Sequence, residues 1–149
     1  MNKEPIVTLR EITSETVNDI LALQVADDQK GFVATNERSL AQAHFSDKAW
    51  FRAIYADDTP VGFVMLYIDA EKHEYDVWRF MIDKDYQGKN YGRKAMELAI
   101  AHVRSLPEAT KLELSFVPGD GNPSGFYAKL GFVETGKWAD KEKIMVLNL

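Results

Sequence analysis

The chain has no cysteine. That absence excludes a disulfide framework, a thiolate nucleophile and every cysteine-ligated zinc site. Histidine is scarce: His44, His73 and His102 stand too far apart for a local ligand motif, so a metal enzyme is not expected. Long apolar runs are missing, none approaching the roughly 20 residues of a membrane-spanning helix, and no membrane span is expected. The start, Met1-Asn2-Lys3-Glu4-Pro5, lacks the basic and apolar stretches of a secretory leader, which makes a cytoplasmic protein the expectation. Positive charge is also short. A formal charge of −5 argues against a nucleic-acid partner, because such binding rests on clustered Lys and Arg; a small cationic ligand suits it better.

What is present is the composition of an ordinary folded domain: 149 residues, 46% hydrophobic and 28% charged. A chain of this length buries roughly two-thirds of the surface it exposes when unfolded. With no repeat, low-complexity tract or linker, residues 1–149 read as one domain.

Periodicity then orders the elements. Ile6 to Arg10 reads as a strand; Thr13 or Ser14 caps a helix through Val17, Ile20, Leu21, Gln24 and Val25; Asn36 caps a second through Leu40 and Ala43. Ala49 to Ala56 and Val61 to Ile68 are aromatic and β-branched runs joined by the turn composition Asp57-Asp58-Thr59-Pro60. Tyr75 to Ile82 follows after a short polar connection, so the three strands should run antiparallel. From Tyr91 or Gly92 the pattern turns helical, with Ala95, Leu98, Ala99, His102, Val103 and Leu106 on one side until Pro107. Lys111 to Val117 alternates as a strand, Pro123 to Leu130 reads as a short helix stopped by Gly131, and Phe132 to Thr135 and Ile144 to Leu149 close the chain. The closing strand can pair internally or across a homodimer interface.

Between the Tyr75–Ile82 strand and the next helix lies Gln87-Gly88-Lys89-Asn90-Tyr91-Gly92. A helix start presents unpaired N–H groups and a partial positive charge, and glycine lets a ligand approach the backbone, so this loop suits a pyrophosphate. The spacing is neither that of a nucleotide-hydrolase loop nor that of a dinucleotide fingerprint. The plainer alternative is a glycine-rich turn into a core helix.

Taken together, Arg79-Phe80-Met81-Ile82-Asp83, Tyr86 to Gly92 and Asn122-Pro123-Ser124-Gly125-Phe126-Tyr127-Ala128-Lys129-Leu130-Gly131-Phe132 resemble the GNAT family of acetyl-CoA-dependent N-acetyltransferases. The resemblance implies an α+β (mixed α/β) fold: a central, mostly antiparallel sheet of six to seven strands with a splayed parallel pair, flanked by about four helices. It implies acetyl-CoA as co-substrate, held along Phe80, Met81 and Ile82 and by loop amides from Gln87, Gly88, Lys89, Asn90, Tyr91, Gly92 and Arg93, with Lys94 adding charge and Asn122 contacting the cofactor arm. Asn90 departs from the family pattern, which has glycine there; asparagine tolerates positive φ better than other side chains.

The same resemblance makes Tyr127 the acid that protonates the departing thiolate. Asp76 stands where some members carry a base, with Tyr75, Glu74 and Glu71 as neighbouring alternatives. A finer likeness, in Trp78 to Lys89 and in the region from Leu23 to Val33, is to bacterial diamine and polyamine acetyltransferases. It implies an acceptor such as spermidine or spermine, with carboxylates among Asp27, Asp28, Glu37, Asp69, Glu71, Glu74 and Asp76 along its path. Another amine acceptor (a protein N-terminus or lysine, an amino acid, an aminoglycoside) and a non-catalytic CoA-binding sensor are the alternatives.

Overall fold

In the computed structural model, residues 3–149 are described; Met1 and Asn2, read above as part of a start without a leader, lie outside the described residues. The elements follow the order expected: β1 (Val7–Arg10), α1 (Val17–Leu21), α2 (Asn36–His44), β2 (Ala49–Ala56), β3 (Thr59–Asp69), β4 (Glu74–Ile82), α3 (Tyr91–Arg104), β5 (Lys111–Phe116), α4 (Ser124–Lys129), β6 (Val133–Ala139) and β7 (Glu142–Asn148). The strands form one seven-stranded sheet in the order β1-β2-β3-β4-β5-β7-β6. Every neighbouring pair is antiparallel except β4 with β5. β7 lies between β5 and β6, so the closing strand pairs internally on both sides and offers no free edge to a second copy. Among the described residues, no helix is long and apolar enough to cross a membrane.

The sheet is covered on both faces because its strands alternate apolar side chains in both directions. On one face Val64, Leu66, Val77, Leu112, Leu114 and Met145 pack with Ala95, Met96, Ala99, Ile100 and Val103 of α3 and with Tyr127 of α4. On the other, Ala53, Tyr55, Phe63, Met65 and Met81 pack with Ile20 of α1 and Ala43 of α2. The core stripe of α3 is rotated from the expected one. Met96 and Ile100 face the core, Leu98 is 41% exposed, and the helix stops at Arg104, leaving Leu106 outside it.

Tertiary contacts moved several expected boundaries. α1 ends before Gln24 and Val25 because Gln24 leaves the helix for two long-range bonds, its N–H donating to Asp83 Oδ2 (2.9 Å) and its carbonyl accepting from Lys84 N (2.8 Å). Its N-cap is Thr16, not Thr13 or Ser14, and the Thr16 side chain makes no capping bond. Thr35, not Asn36, caps α2, its side chain accepting from Arg38 N at 3.2 Å. Asn36 is buried instead, donating to the Ile20 carbonyl at 2.9 Å. The β2–β3 turn is tighter than expected, with Asp57 at φ 52° and Thr59 already in the strand. β6 and β7 run on to form a hairpin around Asp140, also at positive φ.

One irregularity shapes the site. In the β3–β4 ladder Met65 pairs with Arg79 and Leu66 with Val77, so Trp78 is an extra residue on β4. An inserted residue bends its strand and raises the local twist. The parallel pairing of β4 with β5 stops there: Asp76 faces Glu113 and Val77 faces Leu114, and past them the strands diverge. Beside the bend, Gly62 of β3 lies so close to Met81 and Ile82 that a Cβ would collide with the Met81 carbonyl.

Candidate active site

The divergence of β4 from β5 opens a cleft of about 2000 Å³ that runs from the start of α3 to the loop before α2. Of the residues expected at the site, Asp76, Phe80, Met81, Ile82, Gln87, Gly88, Asn90, Tyr91, Gly92, Arg93, Asn122 and Tyr127 line it. Lys89 is exposed and outside the lining.

At one end, Gly88 (φ 76°) and Asn90 (φ 70°) carry the chain through left-handed turns into α3. Asn90 is the N-cap but its side chain makes no capping bond, so the first-turn amides have no side-chain acceptor. Asparagine thus supplies here the backbone shape that glycine supplies without strain. A Cβ at Gly92 would meet Ile82 and Phe126 at ordinary contact distance. Phe126 stacks on Phe80, ring centroids 5.5 Å apart, and holds α4 against the end of β4. Arg93 and Lys94 are paired with Glu97 and Glu4, each at 3.0 Å; such exposed pairs contribute about 0–1 kcal/mol and leave both cations recruitable.

Gln87 is committed elsewhere. Its Nε2 donates to the Ile82 carbonyl (2.9 Å) and to Gln29 Oε1 (2.8 Å), and Gln29 Nε2 donates back at 3.1 Å. With the bonds between Gln24, Asp83 and Lys84, this reciprocal amide pair fastens the segment after α1 to the loop before α3. Asn122 likewise folds its own turn, donating to the Gly119 carbonyl at 2.6 Å and accepting from Ser124 N at 2.9 Å.

Two candidate catalytic groups line the cleft, Asp76 where β4 and β5 still pair and Tyr127 on α4. Tyr127 is 7% exposed and flanked by Phe126 and Phe132. Its hydroxyl makes no hydrogen bond within the described residues, yet it is not sealed off, since the one sealed side-chain polar atom without a partner is Arg79 Nε. Burial pushes the phenol above its ordinary pKa, which keeps it protonated. Asp76 is pushed up to about 6, first by burial and then by the carboxylates of Glu113 and Glu74, against the opposing pull of Lys111. Tyr75 points into the core and donates to the Pro107 carbonyl at 2.6 Å, so it is no alternative to Asp76.

Of the carboxylates expected along the acceptor path, Glu37 and Asp76 line the cleft and the others do not. Asp69 is 4% exposed, accepts from Lys72 N at 3.1 Å and lies 3.9 Å from Lys48, which makes it a turn residue. Asp27 is exposed and paired with Lys30 at 2.9 Å. Sequence reasoning missed Glu113, Glu142 and Arg38 and gave Arg79 no role beyond the motif it belongs to; all four line the cleft. The alternation Lys111-Leu112-Glu113-Leu114 already set Glu113 on the polar side of its strand; its position opposite Asp76 needed the register.

Comparison with known proteins agrees with this architecture. Residues 17–132 match the Acetyltransferase (GNAT) family. A spermine/spermidine N(1)-acetyltransferase of Bacillus subtilis (strain 168) is 27% identical over 96% of this chain and 99% of its own length. A probable spermine N(1)-acetyltransferase of Bacillus subtilis subsp. natto is 28% identical over the same shares. The PaiA N-acetyltransferase of Thermoplasma acidophilum, solved in complex with coenzyme A, superposes with a TM-score of 0.66 at 17% identity, covering 97% of this chain and 99% of that one.

The left-handed Asn90 yields a test of the loop. Asn90→Gly is expected to keep coenzyme A affinity or tighten it, and Asn90→Ala to weaken it by imposing about 1 kcal/mol of backbone strain. Isothermal titration with coenzyme A measures both; a large loss in the glycine variant would show that the amide side chain itself holds the ligand.

Proposed function

The chain belongs to the acetyltransferase (GNAT) family, and from that membership we propose that residues 1–149 act as one domain transferring an acetyl group from acetyl-CoA to a primary amine of a diamine or polyamine such as spermidine or spermine. The observation that carries this reading is the gap between β4 and β5, with free loop amides at one end, Asp76 where the strands part and Tyr127 in the lining. The residues present fit the co-substrate. The splay leaves the Phe80–Ile82 backbone without a β5 partner, open to an amide-bearing arm except at the Ile82 carbonyl, which already accepts from Gln87, and the amides from Gly88 to Arg93 suit a pyrophosphate.

Bound acetyl-CoA supplies an activated carbonyl and a thiolate leaving group. The protein's part is proton handling and orientation. An alkylammonium is protonated at neutral pH and must lose a proton before it can attack. Asp76, ionised above pH 6 or so, first attracts the ammonium and then accepts its proton. The raised pKa narrows the mismatch between this base and the amine. Tyr127 keeps its proton over the same range and has no competing acceptor, so its hydroxyl is free to donate to the departing sulfur. With no cysteine in the chain, the amine attacks directly and no acyl-cysteine forms.

The polyamine class is supported by the two Bacillus relatives and by the acidic side chains of the cleft, Glu37, Asp76, Glu113 and Glu142, which attract a cation. Thiol release from acetyl-CoA on adding putrescine, spermidine or spermine is the expected result; coenzyme A binding with no thiol release for any amine would overturn the enzyme reading.

Tyr127→Phe is expected to lower kcat by about 10²-fold with little change in acceptor KM. An unchanged kcat across the pH range would remove the acid role.

For Asp76→Asn, the wild-type rise in kcat/KM as pH increases through about 6 should disappear. Stability gives an independent sign. A carboxyl whose folded pKa lies above its ordinary 3.8 binds its proton more tightly when folded, so folding weakens as pH rises from about 4 to 6. The asparagine variant should therefore melt higher than wild type at pH 7 and lose that advantage at pH 3.

A further inference from the structure

The acceptor side of the cleft carries cations as well as carboxylates. Arg79, half-buried on β4, is fixed in place: Nη1 donates to the Trp78 carbonyl and Nη2 to Gln42 Oε1, both at 2.9 Å. Its Nε is sealed from solvent and has no acceptor. Arg38, exposed on α2, lines the same cleft. Among the described residues neither guanidinium lies within ion-pair distance of a carboxylate. Burial, and after it the like charge of Arg38, hold Arg79 below its ordinary pKa, and Glu142 opposes them from beyond ion-pair range.

Arg38 stands one helical turn from Gln42, the residue that Arg79 bonds, and two neighbouring guanidiniums without a carboxylate partner repel each other and are relieved by a shared anion. A coenzyme phosphate does not answer to this place, since the loop amides that suit it lie at the start of α3. A plain polyamine would bring further positive charge to the pair.

We propose that Arg38 and Arg79 form a carboxylate subsite, and that the enzyme also acetylates α,ω-diamino acids, the ω-amine at Asp76 and the carboxylate at the two arginines. The inference rests on reading the cleft as an amine-acetylating site and adds an anchor at its far end. The spacing agrees. Asp76 and Arg79 are three residues apart on β4 with the extra residue Trp78 between them; even a regular strand, at roughly 3.3 Å per residue, would separate them by no more than about 10 Å, a distance that a short diamino acid and the arginine side chain span together.

Matched acceptors isolate the carboxylate: ornithine is putrescine with one carboxylate added, and lysine is cadaverine with one added. Wild-type kcat/KM should favour the diamino acid of each pair by about tenfold or more. Arg79→Gln and Arg38→Gln should each bring that ratio toward one, and Arg79→Lys should restore part of it, keeping the charge but not the planar fork. Among the described residues the Arg38 side chain makes no hydrogen bond, so its variant answers the question even if Arg79→Gln fails to fold. A wild-type preference for the diamines, an equal fall for both members of a pair, or a rise confined to the acetyl-CoA KM would each overturn the subsite. If neither these four amines nor spermidine nor spermine is acetylated, the acetyl-transfer reading itself fails; if the polyamines or diamines react and the added carboxylate brings no gain, only the subsite fails.

Discussion

A single extra residue in β4 governs this molecule. Trp78 has no partner across the β3 ladder, and the bend it imposes ends the pairing of β4 with β5 after Val77. It also breaks the in-and-out alternation. Val77 packs on the α3 face, Trp78 on the opposite face, and Arg79 follows it there to bond Gln42 of α2 before Phe80 returns to the first side. The bend thus turns two consecutive side chains toward the acceptor side. The same divergence bares the Phe80–Ile82 backbone. A regular strand would have closed the gap and sent Arg79 into the apolar core.

The electrostatics of the cleft follow from that geometry. Where the parallel strands still touch, Asp76 and Glu113 are cross-strand neighbours, and like charges so placed disfavour joint ionisation. Lys111, paired with Glu113 at 3.1 Å, offsets part of this, and Asp76 remains the carboxyl that is pushed up. Tyr127 reaches its state by a different route. Aromatic neighbours remove water from its ring while the cleft leaves its hydroxyl open. One group is tuned by burial and charge together and the other by burial alone, so near neutral pH the carboxyl is largely ionised and the phenol keeps its proton.

Much of this was legible in the sequence because the signals were local. Element order, the β2–β3 hairpin and the loop before α3 come from periodicity and turn chemistry, whereas Tyr127 and Asp76 were singled out by the family resemblance alone. What escaped depends on contacts distant in the chain. Thr35 or Asn36 could each cap α2 by type; the choice fell to Thr35 because the Ile20 carbonyl, sixteen residues away, takes the Asn36 amide. Asp69 looked like a cleft carboxylate until a turn amide and Lys48 claimed it. Glu113, Glu142, Arg38 and Arg79 reach the cleft from four elements, and only strand register and helix placement bring them together.

The amide pair of Gln29 and Gln87, with Asp83 bridging to Gln24, makes the segment after α1 and the loop before α3 one mechanical unit. Linkage between such joined parts is reciprocal: a ligand that orders either one lowers the cost of ordering the other. Evolution on this scaffold therefore lacks a free hand. A change in the segment after α1 also disturbs the loop before α3, so the two ends of the cleft do not vary independently.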